Sequence, residues 1–338
     1  MSDATFDPTT AVYTPPEVAS YGLAAVEKAK THTRRGLRFP LEGVDDYFAP
    51  MYAPQLCAVI AQTSNNKSGF LHFWEHQAAQ QLQDEKRTDE AIIHVSVEED
   101  IEEQAFLEFA RESGESANRM ARGDVQDWNR LTNAALKVGA VPIYRIGESL
   151  ARADDMPNLY MSNMIRAIKT LVSGEVTGQP IKPAALFFDY LQAFPIDPEV
   201  RQSGMEGQRR LQVRQDTYRL RQAAAYFQCP VVVAVQAKQE LNNNKGPLFI
   251  PGVYDGEESS SIGQRADRIV QLWMPKMNHP VGKQLDLSGN AYYVADNGIL
   301  IKVGKQRGGL PSGRMWPCLI DFDRNHFYRD PQFIRSGK

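Results

Sequence analysis

Cysteine is scarce: three residues in 338, Cys57, Cys229 and Cys318, far apart and without metal-ligand spacing. A disulfide scaffold is therefore not expected. Each adjoins apolar sequence, as buried free thiols do, and this suits a reducing cytoplasm. Excess charge is also lacking. A formal net charge of −3 gives no global footprint for nucleic acid, although it leaves room for a local basic patch. There is no signal-peptide pattern and no apolar run long enough to cross a bilayer, so a soluble cytoplasmic protein with no membrane partner is expected. No internal repeat occurs. The last shortage is local. In "AVIAQTSNNKSGF", residues 58–70, Lys67 and Ser68 stand as they would in the phosphate loop G-x-x-x-x-G-K-[ST], yet Ala61 and Asn66 occupy the two glycine positions.

With 42% hydrophobic residues, the chain can bury a large core in one or two domains. Its start, "MSDATFDPTTAVYTPP", is polar and proline-punctuated and reads as a disordered tail. "EVASYGLAAVEKAKTH" is helical in pattern, with Val18, Leu23 and Val26 to one side, and the basic turn "THTRRG" ends it. A helix this short is unstable alone, so it is expected to dock on its own core or on a neighbouring subunit. From Gly36 onward, apolar runs alternate with amphipathic ones. Strands are expected at 56–62, 91–97, 141–147, 184–191, 230–236, 268–274, 299–305 and 315–322, and helices at about 68–83, 100–122, 125–137, 159–173 and 208–227. Continuous apolar strands separated by helices indicate α/β architecture, a mostly parallel sheet with helices on both faces. "QRGGLPSGR" between the last two strands is a hairpin signal and gives that sheet an antiparallel end.

In such a sheet, ligands lie beyond the carboxyl ends of the strands. Lys67 and Ser68 follow the first strand and open a helix, where backbone N–H groups, a lysine and a hydroxyl can hold phosphates and Mg²⁺. Asn tolerates the left-handed region that the missing glycine would supply, and Ala61 need only be small; the alternative is a Ser-Asn turn capping a helix. Asp189 ends "LFFD", where a carboxylate holds Mg²⁺ through water or merely caps a turn. "HVSVEED" carries Glu98, Glu99 and Asp100. One carboxylate here can orient an attacking water, whereas Glu99 and Asp100 read as the acidic first turn of a helix. Gln236 ends a strand as a neutral amide able to sense a phosphate or metal. Lys305 and Arg307, spaced i, i+2, point to one side of their strand and suit a nucleotide on an adjacent subunit; a solvated basic hairpin is the alternative. Arg201, Arg209, Arg210, Arg214, Arg219 and Arg221 cluster after Asp189, and Lys238 and Lys245 lie in the loop after Gln236. Two such segments can hold DNA phosphates without reading sequence.

Taken in order, these elements resemble the RecA-like motor domain of DnaB-type (superfamily 4) replicative helicases, from about Glu17 to Phe327. The initial helix and "RRGLRFPLEGVDDYFAP" are similar to the family's linker helix and its approach to the first strand. "AQTSNNKSGF" stands in the place of its phosphate loop. "VSVEE" is similar to Phe-Ser-Leu-Glu-Met, "FFDYLQ" to Ile-Asp-Tyr-Leu-Gln, and "CPVVVAVQ" to the strand ending in the sensor glutamine. "IGQRADRIVQLW" and "IKVGKQRGGLPSG" match the two later motifs. The resemblance implies a linker segment at 1–35 and a motor domain at 36–338, without the N-terminal primase-contacting domain, in a pattern suggestive of a phage or mobile element. It implies ATP and Mg²⁺ bound by Ala61, Ser64, Asn65, Asn66, Lys67, Ser68, Gly69 and Asp189, with Ser68 and Asp189 on the metal. It assigns Glu98 to the water, Gln236 to sensing, and Lys305 with Arg307 to the neighbour's nucleotide. The expected partners are single-stranded DNA, further copies of the chain in a hexameric ring, and loader or replication proteins. Two alternatives stand beside this: a nucleotide-gated DNA-binding ring with little turnover, and a RecA- or KaiC-like ATPase acting on a protein.

Overall fold

The computed structural model describes residues 13–30, 36–151, 159–197, 205–238, 248–257, 261–307 and 313–334. It divides at Gly36 into two units. The first contains helix α1 (Pro15–Lys30). Its start is fastened one way, in that the backbone N–H and the hydroxyl of Thr14 both donate to Glu17 Oε2 at 2.7 Å. Val18, Tyr21, Leu23 and Val26 are exposed on this helix. The basic turn expected after it lies outside the described residues.

In the second unit, β1 (Leu56–Ala61) leads to α2 (Lys67–Asp84) and β2 (Glu90–Ser96). Then come α3 (Ile101–Ser113), α4 (Ala117–Ala121), α5 (Trp128–Val138) and β3 (Ile143–Ile146). Next are α6 (Met161–Val172), β4 (Lys182–Asp189), α7 (Met205–Tyr226) and β5 (Val231–Gln236), followed by α8 (Ser261–Arg265) and β6 (Arg268–Trp273). The last elements are β7 (Gln284–Leu287), β8 (Asn290–Tyr293), β9 (Gly298–Gln306), β10 (Met315–Asp321), β11 (His326–Arg329) and α9 (Pro331–Ile334).

Nine strands form one sheet in the order β11-β10-β9-β6-β1-β5-β4-β2-β3. The six from β6 to β3 run parallel, and β9, β10 and β11 add an antiparallel end. The physical cause is visible in β1, whose six residues are all buried. Successive side chains of a strand point to opposite faces. Accordingly Cys57, Val59 and Ala61 enter one core with Phe70, Trp74 and Leu82 of α2, while Leu56, Ala58 and Ile60 enter a second with Met164 and Ile168 of α6 and Leu220 of α7. A strand that must be apolar on both faces cannot alternate, so an uninterrupted apolar run marks the middle of a covered sheet. The three cysteines are free and buried.

Two expectations change. The helix foreseen over 100–122 is two helices, because Gly114 takes φ 71° and caps α3 in the left-handed region. Beyond the foreseen strands lie β11, at the sheet edge, and the hairpin β7–β8. The hairpin has its own small core of Leu285, Leu287 and Tyr292 against Trp273 and Leu300.

Candidate functional site

The altered loop has the backbone that its sequence requires. Asn66 sits at φ 54°, ψ 40°, the left-handed conformation expected of a glycine substitute, and Ser64 adopts φ 62°. No side chain caps α2, so the free N–H groups of its first turn are available to an anion. Gly69 explains how the loop accommodates Asn66: a Cβ at residue 69 would lie 2.5 Å from Asn66 Oδ1 and 2.8 Å from Asn325 Oδ1. The second glycine of the usual pattern is replaced by Asn66, and the glycine after the serine gives that side chain its space.

Beyond the carboxyl ends of the parallel strands lies a cleft of about 470 Å³. Ser64, Asn66, Lys67, Ser68 and Gly69 form one wall, and Glu98 and Gln236 face them. Lys67 is buried, with Nζ 3.8 Å from the centroid of the Tyr190 ring. Asp189 ends β4 opposite Ser96 of β2. It is wholly buried, and neither carboxylate oxygen has a hydrogen-bond partner among the described residues. A buried acceptor pair left bare is costly. A bare carboxylate has the oxygen chemistry that Mg²⁺ prefers, as has the Ser68 hydroxyl in the cleft wall, and in donor type these residues fit that ion. Ser96 Oγ accepts from the N–H groups of Glu98 (3.3 Å) and Glu99 (3.1 Å) and shapes the turn that presents Glu98. Burial, helped by the charges of Asp189 and Glu99 and opposed by Lys67, raises the Glu98 pKa above the ordinary carboxylate value.

The sequence matches the DnaB-like helicase C-terminal domain family over residues 36–315. The chain belongs to that family. Among solved structures, the ATPase domain of G40P superposes with a TM-score of 0.70 at 16% identity, covering 93% of this chain and 98% of that one. A chain from a DnaB-like replicative helicase, described together with its interactions with primase, gives 0.69 at 15% identity, covering 91% of this chain and 66% of that one. At these identities the likeness is one of fold, and it confirms the RecA-like arrangement with an antiparallel end. No curated protein matches the sequence. Among the described residues, no helix is long and apolar enough to cross a membrane.

Within this DnaB-like domain, Gln236 Nε2 donates to Thr63 Oγ1 at 2.7 Å, tying the end of β5 to the phosphate loop. Gln192, the last residue of "FFDYLQ", clamps that connection. Its Oε1 accepts from Gln236 N (3.0 Å), and its Nε2 donates to the carbonyls of Gln236 (3.1 Å) and Glu257 (3.2 Å). Three expected nucleotide or metal contacts, Ala61, Asn65 and Asp189, are not among the residues lining the cleft, and Asp189 lies buried at the end of β4. Ala61 is buried at the end of β1. Asn65 is also buried: its Oδ1 accepts from Met274 N at 2.6 Å, its Nδ2 donates to Thr63 O at 3.1 Å, and its N–H donates to Gln62 O at 3.3 Å. Asn65 thus fastens the loop to the end of β6.

Lys305 and Arg307 lie near the corner between α8 and β6, apart from the residues lining the cleft. Lys305 Nζ donates to Gly263 O (2.8 Å) and Gln264 O (3.2 Å), and Arg307 Nη1 pairs with Asp267 Oδ1 at 2.9 Å. Burial and the neighbouring Arg307 lower the Lys305 pKa. Asp267 also receives Leu56 N at Oδ2 (3.0 Å) and Arg221 Nη1 at 3.3 Å. Of the basic residues considered for DNA, Arg210, Arg214 and Lys238 are exposed, and Arg201 and Lys245 lie outside the described residues. Three others are engaged within the fold: Arg209 donates to Phe194 O (2.8 Å), Arg219 to Asp197 (2.7 Å) and Arg221 to Arg265 O (2.7 Å).

Asp100, expected in the first turn of the helix, is the N-cap of α3, accepting from Glu103 N at 2.7 Å. Glu99 does not serve the helix in that way. Its Oε2 meets Nε2 of the buried His72 at 2.7 Å, while His72 Nδ1 meets Glu75 Oε1 at 2.8 Å. Arg145 joins Glu75 (2.9 Å) and Glu108 (3.3 Å), Arg111 joins Glu108 (2.8 Å), and His94 lies 2.5 Å from Glu75 Oε2. His72, Glu75 and His94 have the composition of a metal site, but the two rings stack at 4.8 Å with 22° between planes. Imidazole lone pairs lie in the ring plane, so near-parallel stacked rings cannot both aim at one ion. His72 instead bonds Glu75 Oε1, while His94 Nδ1 only approaches Glu75 Oε2 and neither His94 ring nitrogen has a hydrogen-bond partner among the described residues.

Proposed function

We propose that this domain is an ATP- and Mg²⁺-dependent motor that assembles as a hexameric ring and translocates on single-stranded DNA in replication. The observation that carries the reading is convergence: Lys67, Ser68, Asp189, Glu98 and Gln236, from four adjacent parallel strands and the helix between them, all come to one end of the sheet. In-line phosphoryl transfer needs positioning and charge neutralisation more than covalent chemistry. The first turn of α2 and Lys67 would hold the phosphates, and Ser68 with Asp189 would hold Mg²⁺, which would supply charge neutralisation there. Glu98, with its raised proton affinity, orients the attacking water and takes its proton. Gln236 joins the phosphate loop to the segment carrying Lys238, which offers a path from nucleotide state to DNA. Lys305 and Arg307 act on the nucleotide of the next subunit, where an arginine raises such rates by roughly 10³–10⁵. Arg210, Arg214 and Lys238 contact DNA phosphates. The protein works in the cytoplasm, with a loader or replication proteins as further partners.

A second reading, a nucleotide-gated DNA-binding ring with little turnover, draws on one observation: Asn66 places a side chain where the usual loop has none. Steady-state ATP hydrolysis with and without single-stranded DNA, beside Glu98→Gln, separates the two. DNA-stimulated turnover abolished by the substitution supports the motor. Nucleotide and DNA binding with no turnover above that control supports the passive ring, and turnover indifferent to DNA points to a protein partner.

A further inference from the structure

The buried polar cluster behind the cleft has no part in the mechanism above, and it runs from the phosphate-loop helix to the turn bearing Glu98. His72 lies on α2, five residues after Lys67. Glu99 follows Glu98 and itself lines the cleft. An imidazole has two ring nitrogens, and in the neutral form only one can donate. Both nitrogens of His72 face carboxylate oxygens, at 2.8 Å and 2.7 Å, with the ring wholly buried. With Glu75 and Glu99 both held as anions, only the doubly protonated ring satisfies both contacts. We infer that His72 is a positioning residue: an imidazolium strut that locks the Glu98–Glu99 turn to the helix holding the nucleotide phosphates, so that Glu98 keeps its place over the attacking water.

The surroundings agree in sign. Three carboxylates, Glu75, Glu99 and Glu108, are matched by Arg145, Arg111 and a cationic His72. The groups packed on His72 are Glu75 of its own helix, His94 of β2, Glu99 of the catalytic turn, and Arg111 of α3, whose Nη2 reaches His72 O at 3.5 Å. Burial alone would lower the His72 pKa, but Glu75 and Glu99 override it and raise it to about 10. The Glu99 carboxyl is lowered in spite of its burial by the same hydrogen bond. The two adjacent glutamates are thereby divided: Glu99 is pinned as an anion against the helix, and Glu98 is left free to face the cleft.

This inference rests on Glu98 as the water-orienting group, and that role is tested first by Glu98→Gln. If Glu98→Gln leaves turnover intact, the mechanism fails before His72 is in question. With Glu98 upheld, two measurements decide. Nitrogen-15 spectra of the histidine-labelled wild-type protein at pH 8, assigned by through-bond correlation from the backbone, should show His72 as an imidazolium; a neutral tautomer overturns the inference and needs no variant to fold stably. In kinetics, Glu99→Gln and His72→Asn should each lower kcat about tenfold while KM for ATP changes less than twofold. The double variant should be no slower than the worse single one, because both break the same strut. A kcat within twofold of wild type in the folded variants assigns the cluster to stability alone, and fully multiplicative losses overturn the shared strut.

Discussion

The bare carboxylate of Asp189 leads to a prediction in which stability and function move in opposite directions. Both of its oxygens are buried without a hydrogen-bond partner among the described residues, and an unsatisfied buried group of this kind costs about 1–3 kcal/mol, more when charged. Asp189→Asn keeps the volume and removes the charge. In the absence of nucleotide and divalent cations, the variant should gain about 1–3 kcal/mol in urea denaturation. The Glu98 carboxyl, which Asp189 pushes upward, should relax toward its ordinary value at the same time. Ligand linkage reverses the ranking. With Mg·ATP at a thousand times its dissociation constant, the wild type gains about 4.1 kcal/mol, whereas Asp189→Asn should gain almost nothing. The assay is a pair of urea curves for each protein, one in EDTA and one in saturating Mg·ATP. A variant that is less stable in EDTA, or one that keeps the Mg·ATP shift, would refute the assignment of Asp189 to the metal.

Four further outcomes follow from the same geometry. Gly69→Ala puts a methyl within 2.5 Å of Asn66 Oδ1 and should cost about 1–3 kcal/mol; Asn66→Gly in that background should recover part of it, read as urea midpoints and ATP affinity. Because the Glu98 pKa is raised and its base form is the active one, kcat should fall on acidification at a pH above the ordinary carboxylate value, as followed in a pH–rate profile. Asp216 is pushed up to about 6 by burial, opposed by bonds from Gln212 and Arg219. The folded state therefore binds its proton more tightly than the unfolded chain does, and this contribution to stability declines as pH rises from about 4 through 6; urea titrations should show Asp216→Asn flattening that slope. Arg307→Ala should lower turnover by at least about 10³ without changing nucleotide affinity, and mixing it with Lys67→Ala subunits should restore part of the activity if the arginine acts across subunits.

Much of this was legible in the residues because burial on both faces leaves no choice of side chain. The runs at 56–62 and 230–236 could be nothing but covered strands, and ligand sites in such sheets lie at strand ends. Asn66 was legible for another reason: few residues other than glycine tolerate its backbone angles. The β7–β8 hairpin escaped notice because each strand has four residues, too few for alternation to stand out, although Ser288-Gly289 marked its turn. The break at Gly114 was hidden inside an amphipathic pattern that continues across it. Glu99 read as a helix-dipole acid because its partner, His72, is 27 residues away, and local sequence carries no trace of such a contact. The same holds for Asn65, whose polar side chain looked suited to a ligand and is spent on a backbone 209 residues distant.

The register of β1 has a mechanical consequence. Asp267 grips the first residue of that strand twice, donating its N–H to Leu56 O (2.8 Å) and accepting Leu56 N on its side chain (3.0 Å), and it also holds Arg307. The last residue of the same strand, Ala61, opens into the phosphate loop. Six fully buried residues, roughly 20 Å of extended chain, therefore connect the arginine corner to the nucleotide cleft like a push-rod, clamped by neighbours on both edges. Close-packed interiors transmit displacement with little slack. A shift of the loop when a phosphate leaves would arrive at the arginine without any domain hinge to carry it.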